Sequence, residues 1–317
     1  MTAVGQTGGS KMRKFAGPAL LAAVVALAAQ AAMALETVKV AENVYALVGA
    51  MEQRSPENLG NNATFGVIVT PGGVVLVDPG GSAKGAAEIE AAIAKITDRP
   101  VKVVIDTGGQ DHRWFGNAYF KAKGAEIIAS EAAVADQKER ASLQWQAMQM
   151  LAGAEVMQGT EFVHAGTRFE TAHAFTLGGV RIEITHAGQA HTPGDSFVWL
   201  PAERIAFSGD IVYMDRMLGV LSFSNSLSWL GAFDALARLQ PRVVVPGHGH
   251  PAPLAKARAE TRDYLVHLRA KIGALIEAGG SMIDAKAIDQ SAFRHLAVFD
   301  QISRRNAQAV FAEMEFE

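Results

Sequence analysis

Short apolar runs, each closed by a turn signal, alternate with helical stretches in the same order twice along this chain. Phe65-Gly-Val-Ile-Val69 and Val74-Val-Leu-Val-Asp78 are joined by Thr70-Pro-Gly-Gly73, the composition of a tight turn between paired strands. Apolar spacing at Ala87, Ile89, Ala92, Ile93 and Ile96 predicts a helix over Lys84 to Ile96. Val101 to Ile105 reads as a buried strand, Trp114 to Lys123 as a helix, Ala125 to Ala129 as a strand and Glu131 to Met150 as a helix. The order then repeats. Strands at Phe175–Leu177 and Val180–Thr185 flank Gly178-Gly179, and strands at Ser196–Leu200 and Arg204–Phe207 flank Pro201-Ala-Glu203. A helix over Ser226 to Leu239 leads to the strand Arg242–Val245, and the rest, from about Pro253, is mostly helix. An order of strands, helix, strand and helices, given twice, suits two sheets packed together with helices outside, an α/β/β/α sandwich. The same pattern also fits an ordinary doubly wound sheet.

Composition narrows the chemistry. Hydrophobic residues make up 49% and charged residues 19% of the 317, which is globular rather than disordered. A net charge of −3 with no long basic run leaves nucleic acid without an electrostatic footprint. There is no cysteine, so thiolate nucleophiles, thiolate ligands and disulfides are excluded. Any metal must be held by His nitrogen and Asp or Glu oxygen.

The first 34 residues are of a different kind. Lys11, Arg13 and Lys14 precede an uncharged apolar run from Phe15 to Ala34 that closes on Ala32-Met33-Ala34. This is the pattern of a cleavable secretory leader, with Met12 as an alternative start. An uncleaved membrane anchor is the other reading. Cleavage removes three basic residues and no acidic one, taking the charge from −3 to −6. The expectation is a leader over 1–34, one domain over 35–317, a periplasmic or secreted location, and no stable membrane association once the leader is gone.

Polar groups that follow strands at glycine-bearing turns are the candidate chemistry. They are Asp111-His112 after Ile105, His191 in GQAHTPGD, Asp210 in FSGDIV and His248 in VPGHGHP. Taken singly, Asp111-His112 reads as a cap and a buried histidine, and Asp210 as a turn residue. In register together, they resemble the metallo-β-lactamase superfamily. The family's pattern is H-x-H-x-D-H, then a His, then a bridging Asp after Gly, then a His after Gly. Asp111 and His112 match the end of the first motif, with Gly116-Asn117 following it, and His191, Gly209-Asp210 and Gly247-His248 match the others. Leu76-Val-Asp78-Pro-Gly80 matches the family's strand ending in Asp and Gly. The likeness covers about residues 38 to 252 and is nearest the glyoxalase-II-like branch and the periplasmic branch associated with sulfur oxidation or quinoproteins.

The departure is at Thr107 and Gly109, which stand where the family has its first two histidines. In the family those two and the equivalent of His191 hold the first metal. The positions of Asp111, His112 and His248 hold the second, and that of Asp210 reaches both. The resemblance therefore implies a reduced centre, with one divalent ion on Asp111, His112, Asp210 and His248. Zinc is the default, with iron or manganese suited to the same donors. It implies an exported hydrolase of a small ester, thioester, lactone or amide. The attacking group would be a metal-bound hydroxide, the water's pKa lowered from ~15.7 toward ~7. Asp111, His191 and Asp210 are the expected catalytic groups. His191 donates to a substrate carbonyl, moves a proton or is structural, and Asp210 orients the water. The alternative is a periplasmic binding or accessory protein that keeps the fold.

The remaining signals are weaker. Arg113 reads as a ligand for an anionic substrate group or as a solvated surface residue, and Trp114 borders the site. Trp145, Met148, Met150 and Met157 read as core packing or as the wall of a flexible pocket over the metal. His186 and His250 lie beside the motifs without a ligand role, and His164, His173, His267 and His295 read as structural.

Overall fold

The computed structural model describes Gly5 and residues 35–317. The expected leader, apart from Gly5, lies outside the described residues. Among those described, no helix is long and apolar enough to cross a membrane.

Two sheets form. The first has the order β1(Glu36–Ala41), β2(Val44–Val48), β3(Thr64–Thr70), β4(Gly73–Val77), β5(Val101–Asp106), β6(Glu126–Ser130), β7(Thr167–Phe169). It is antiparallel from β1 to β4 and parallel from β4 to β7. The second runs β12(Val243–Val245), β11(Ile205–Phe207), β10(Phe197–Leu200), β9(Val180–Thr185), β8(Ala172–Leu177). Only β11 and β12 are parallel in it. Both sheets are mixed.

Side chains alternate between faces along each strand, which lets one strand serve two cores. Val75 and Val77 of β4 face the second sheet, where they join Val198, Leu200, Ile205 and Phe207. Val74 and Leu76 face outward onto α1(Ala83–Ala94) through Ala86 and Ile89. In β10, Val198 and Leu200 point to the shared core, while Phe197 and Trp199 face the helices behind. Gly66 has no side chain because the Phe207 ring packs onto its Cα face, holding the sheets together. This is the α/β/β/α sandwich, and the doubly wound alternative is excluded by the second sheet.

The helices of the first layer are α1, α2(Asn117–Ala122) and α3(Glu131–Leu151), followed by the short α4(Ala154–Met157). α1 and α3 are capped by Ser82 and Ser130, each accepting from the backbone N–H three residues on. The second layer holds α5(Ser226–Arg238), α6(Leu254–Ala257), α7(Asp263–Glu277), α8(Met282–Ala285) and α9(Phe299–Met314). Trp229, Phe233, Leu265, Leu268, Val310 and Phe311 bury its apolar faces against the second sheet. The expected helix at Trp114 begins only at Asn117, because Asp111–Arg113 form a separate 3-10 turn. The β1–β2 hairpin and β7 extend the first sheet beyond the expected strands.

Candidate metal centre

The site lies where β4, β5, β11 and β12 end. Asp78 follows β4 with φ +67°, a left-handed conformation that turns its carboxylate under the loop after β5. One oxygen accepts from the Thr107 backbone N–H at 2.8 Å and the Thr107 hydroxyl at 2.9 Å. The other accepts from Arg113 Nη1 at 2.7 Å.

Thr107 and Gly109 do not leave a vacancy. The Thr107 hydroxyl is turned to Asp78. The Gly108 and Gly109 carbonyls accept from Gln137 (3.2 Å) and Gln144 (2.8 Å) of α3. A Cβ on Gly109 would run into the Asp136 carboxylate, which Arg140 holds in an ion pair. The protein itself fills the region where the family's first two histidines would stand.

Across the site three of the four expected ligands converge. His112 Nε2 lies 3.3 Å from Asp210 Oδ2, and His248 Nε2 lies 3.2 Å from Asp210 Oδ1. The two imidazoles meet edge to face, with ring centres 5.1 Å apart. Tyr213 stacks on His248 at 4.6 Å and fixes its plane. Donor atoms of His112, Asp210 and His248 all lie within 4.8 Å of one another, and all three side chains are buried. Neighbouring ligands on a tetrahedral ion with bonds of ~2.0–2.1 Å are separated by about 3.3 Å, so this set fits one divalent ion. Burial pushes the His248 pKa well below its usual value, against the pull of Asp210, so the ring is a neutral potential ligand. Its Nδ1 is buried with no hydrogen-bond partner among the described residues.

Asp111, the fourth expected ligand, stands outside this convergent group. Its Oδ1 accepts from Arg54 at 2.5 Å (Nη2) and 3.1 Å (Nε), and from the His112 backbone N–H at 2.7 Å. Burial raises the Asp111 pKa, but Arg54 and His112 more than offset this and hold it ionised. Arg54 Nη2 also lies 2.9 Å from His112 Nδ1. That contact places the His112 proton on Nε2, facing Asp210. A cation on Nε2 requires the other tautomer, and Asp111 Oδ1, 3.1 Å from Nδ1, is there to accept a hydrogen bond from Nδ1–H.

Arg113 is neither a substrate ligand nor a solvated residue. It is fully buried, and its five N–H donors meet five acceptors. Nε and Nη2 clamp the two oxygens of Asp210 at 3.1 and 2.6 Å. Nη2 also donates to the Gly247 carbonyl, and Nη1 to Asp78 and the Thr64 carbonyl. Burial alone would raise the Asp210 pKa, but Arg113 and the two histidines hold it far below the usual carboxylate range.

His191 sits beside the group. Its Nδ1 donates to the Gly219 carbonyl at 2.8 Å, which leaves Nε2 without a proton. Burial pushes its pKa down to about 4 despite Asp210, so it is a neutral acceptor near pH 7. His112, His191 and His248 line one cavity of about 90 Å³ with Tyr213, Arg54, Arg216 and Arg305.

The other histidines lie apart from this group. His186 contacts the Asp195 carbonyl, His164 stacks on Trp114, and His250 lies between Glu36 and Asp215. Trp145 borders a separate apolar cavity of about 460 Å³ with Phe162. Met148 and Met157 are core residues, while Met150 is 84% exposed, so the four do not form one wall. Sequence reasoning missed Arg54, Tyr213, Arg216 and Arg305. Tyr213, three residues after Asp210, was within reach of the motif; the arginines carry no local signal.

The model of the metallo-beta-lactamase superfamily matches residues 60–248, more than half of the chain. A linear primary-alkylsulfatase from Pseudomonas sp. (strain ATCC 19151) is 22% identical over 238 residues, 64% of this chain and 45% of the alkylsulfatase. The chain thus spans less than half the length of that relative. Among solved structures, the stereoselective inverting sec-alkylsulfatase Pisa1 from Pseudomonas sp. superposes with a TM-score of 0.70 at 18% identity, covering 87% of this chain and 50% of that one. A metallo-beta-lactamase from Pontibacter korlensis gives 0.59 at 23% identity, covering 73% of this chain and 99% of that one. At such identities the structures speak for the fold, and the family match speaks for descent. The chain belongs to the metallo-β-lactamase superfamily, with that superfamily's hydrolase fold.

Proposed function

We propose that this chain is a metal-dependent hydrolase acting outside the cytoplasm on a small ester, thioester, lactone or amide, with one divalent ion on His112, Asp210 and His248. The observation that supports it is the convergence of two imidazole nitrogens on one carboxylate at 3.2–3.3 Å. The alkylsulfatase and β-lactamase relatives support metal-dependent hydrolysis in general. When bound, the ion supplies Lewis acidity and makes water more acidic; zinc is the default, with iron or manganese suited to the same donors.

The chain's own groups divide the remaining work. Arg113 holds both oxygens of Asp210, so the carboxylate cannot swing away from the histidines. Tyr213 fixes the plane of His248. His191, neutral with a bare Nε2, accepts a proton in the cavity; donation to a carbonyl would first require protonating it. Asp111 accepts from the His112 backbone N–H and lies where it can accept a hydrogen bond from Nδ1–H in the metal-binding tautomer.

The second reading, an accessory protein that keeps the fold, draws on Arg113: its guanidinium already neutralises Asp210 without a metal. Metal analysis of the purified protein, paired with turnover on an ester and β-lactam panel before and after chelation, separates the two. One bound ion with chelator-sensitive turnover supports the hydrolase, and no turnover across the panel supports the accessory role. His248→Ala is expected to abolish metal binding, and His191→Ala to keep the metal and slow turnover by ~10²-fold. Release of the metal by His191→Ala would overturn the assignment.

A further inference from the structure

We propose that Arg216 and Arg305 make the cavity beside His112 and His248 a recognition site for an oxyanion, so that the substrate is an ester carrying a carboxylate, sulfate or phosphate group. The ester rests on the hydrolase reading; the anion site does not. Most of the buried and half-buried arginines described are matched by carboxylates: Arg113 by Asp78 and Asp210, Arg54 by Asp111, Arg140 by Asp136, and Arg269 by Glu313 and Glu317. Arg216 is different. Its Nε donates to the Met51 carbonyl at 2.6 Å, and among the described residues its guanidinium makes no ion pair. Arg216 is half-buried, and burial and the nearby Arg54 cation lower its pKa, while Tyr213 and Asp210 pull the other way without forming an ion pair with it. The exposed Glu52 acts on it only at longer range. Its backbone pairs with Ala297 in an isolated bridge, and the bond from Nε to Met51 holds the side chain toward the cavity.

Arg305 reaches the same cavity from α9, and it too has no ion pair among the described residues. Ile302, three residues earlier on the same helix face, lines the cavity beside it. No Asp or Glu lines this cavity among the described residues. Two guanidiniums without ion pairs therefore face a small space whose other walls include the ion-paired Arg54, the site's three histidines, Tyr213, the amides of Gln53 and Gln110, and apolar Leu221 and Ile302. The planar fork of arginine suits paired oxygens, and an anion there removes the cost of holding Arg216 unpaired. The cavity takes a charged head group while the bond to be cut faces the histidines.

The test is calorimetric titration with inorganic sulfate and with phosphate at fixed ionic strength, on the full chain and on Arg216→Gln, Arg216→Lys and Arg305→Gln, with Arg181→Gln as a surface control. The expected result is saturable binding that weakens about tenfold or more in Arg216→Gln, the size of one charge-assisted bond. Arg216→Lys and Arg305→Gln lose less, and the control loses nothing. The exposed position of Arg305 keeps the site testable even where Arg216→Gln disturbs folding. The KM for 4-acetoxybenzoate rises in the same variants, and that for uncharged phenyl acetate does not. No saturable binding by the unaltered protein, or equal binding by all variants, overturns the proposal. Loss of anion binding in the variants of a protein that cleaves no ester overturns the hydrolase reading and leaves this site standing. Ester cleavage with unchanged sulfate binding does the reverse.

Discussion

The two sides of the centre have met the same problem differently. On the side of Thr107 and Gly109, imidazoles are absent and the protein has closed over the space. Thr107 bonds to Asp78, Gln137 and Gln144 take the loop carbonyls, and Asp136 lies against Gly109. On the side of His112, Asp210 and His248, the donors remain together, and two arginines neutralise the carboxylates around them. Losing ligands left no hole on the first side because a buried polar group without a partner costs about 1–3 kcal/mol, and neighbouring side chains supply partners instead. On the second side, buried carboxylates demand a cation whether or not a metal is present, and Arg113 and Arg54 provide it.

The contrast can be broken at Arg113. Arg113→Met leaves Asp78 and Asp210 buried without their cation and is expected to lower stability by about 3–5 kcal/mol in urea unfolding. Adding Asp78→Asn should recover part of the loss; an unaffected midpoint would mean that the guanidinium does not hold the second side together. His191 gives the next effect. Its folded pKa of about 4 lies below the unfolded value of 6.5, so its contribution is fully present above pH 6.5 and is lost as pH falls toward 4. The loss is on the order of 3 kcal/mol. Unfolding midpoints measured from pH 7 to pH 4 should fall less steeply in His191→Gln, and parallel curves would contradict the neutral, buried state.

Restoring histidines at Thr107 and Gly109 sharpens the comparison from the other side. The double change is expected to destabilise the fold by about 1–3 kcal/mol, because the new Cβ at residue 109 meets Asp136. Metal content should not rise, and a second bound ion would show that the first side is closed only by sequence. The smallest effect belongs to Arg54. Arg54→Met frees His112 Nδ1 to carry a proton and should tighten zinc binding by about tenfold, or about 1.4 kcal/mol. Weaker binding in that variant would mean that Arg54 assists the metal rather than competing with its tautomer.

Much of the fold was legible because strand alternation is local. Which side chain of Val74 to Val77 faces which core came from the packing, but the strand itself could be read from its apolar run and the turn before it. Thr167–Phe169 could not, since a strand so short carries no alternation and exists by pairing with β6. The converging His112, Asp210 and His248 were legible as a motif in order. The partners of Asp111 were not: Arg54 lies far back along the chain, in a loop with no periodicity. Arg113 was visible beside the motif, but its direction was not, because a 3-10 turn rather than a helix carries it inward.

The amino-acid order alone determined the succession of strands and helices and which donor side chains are available, since both follow from residue type and short-range period. The division of the strands into two sheets came with the tertiary structure. Tertiary structure alone decided which charge the carboxylates of the centre meet. Asp210 meets Arg113 and Asp111 meets Arg54, across long stretches of chain. The physical reason is that burial makes neutralisation compulsory while leaving the choice of cation to whatever the fold brings within reach.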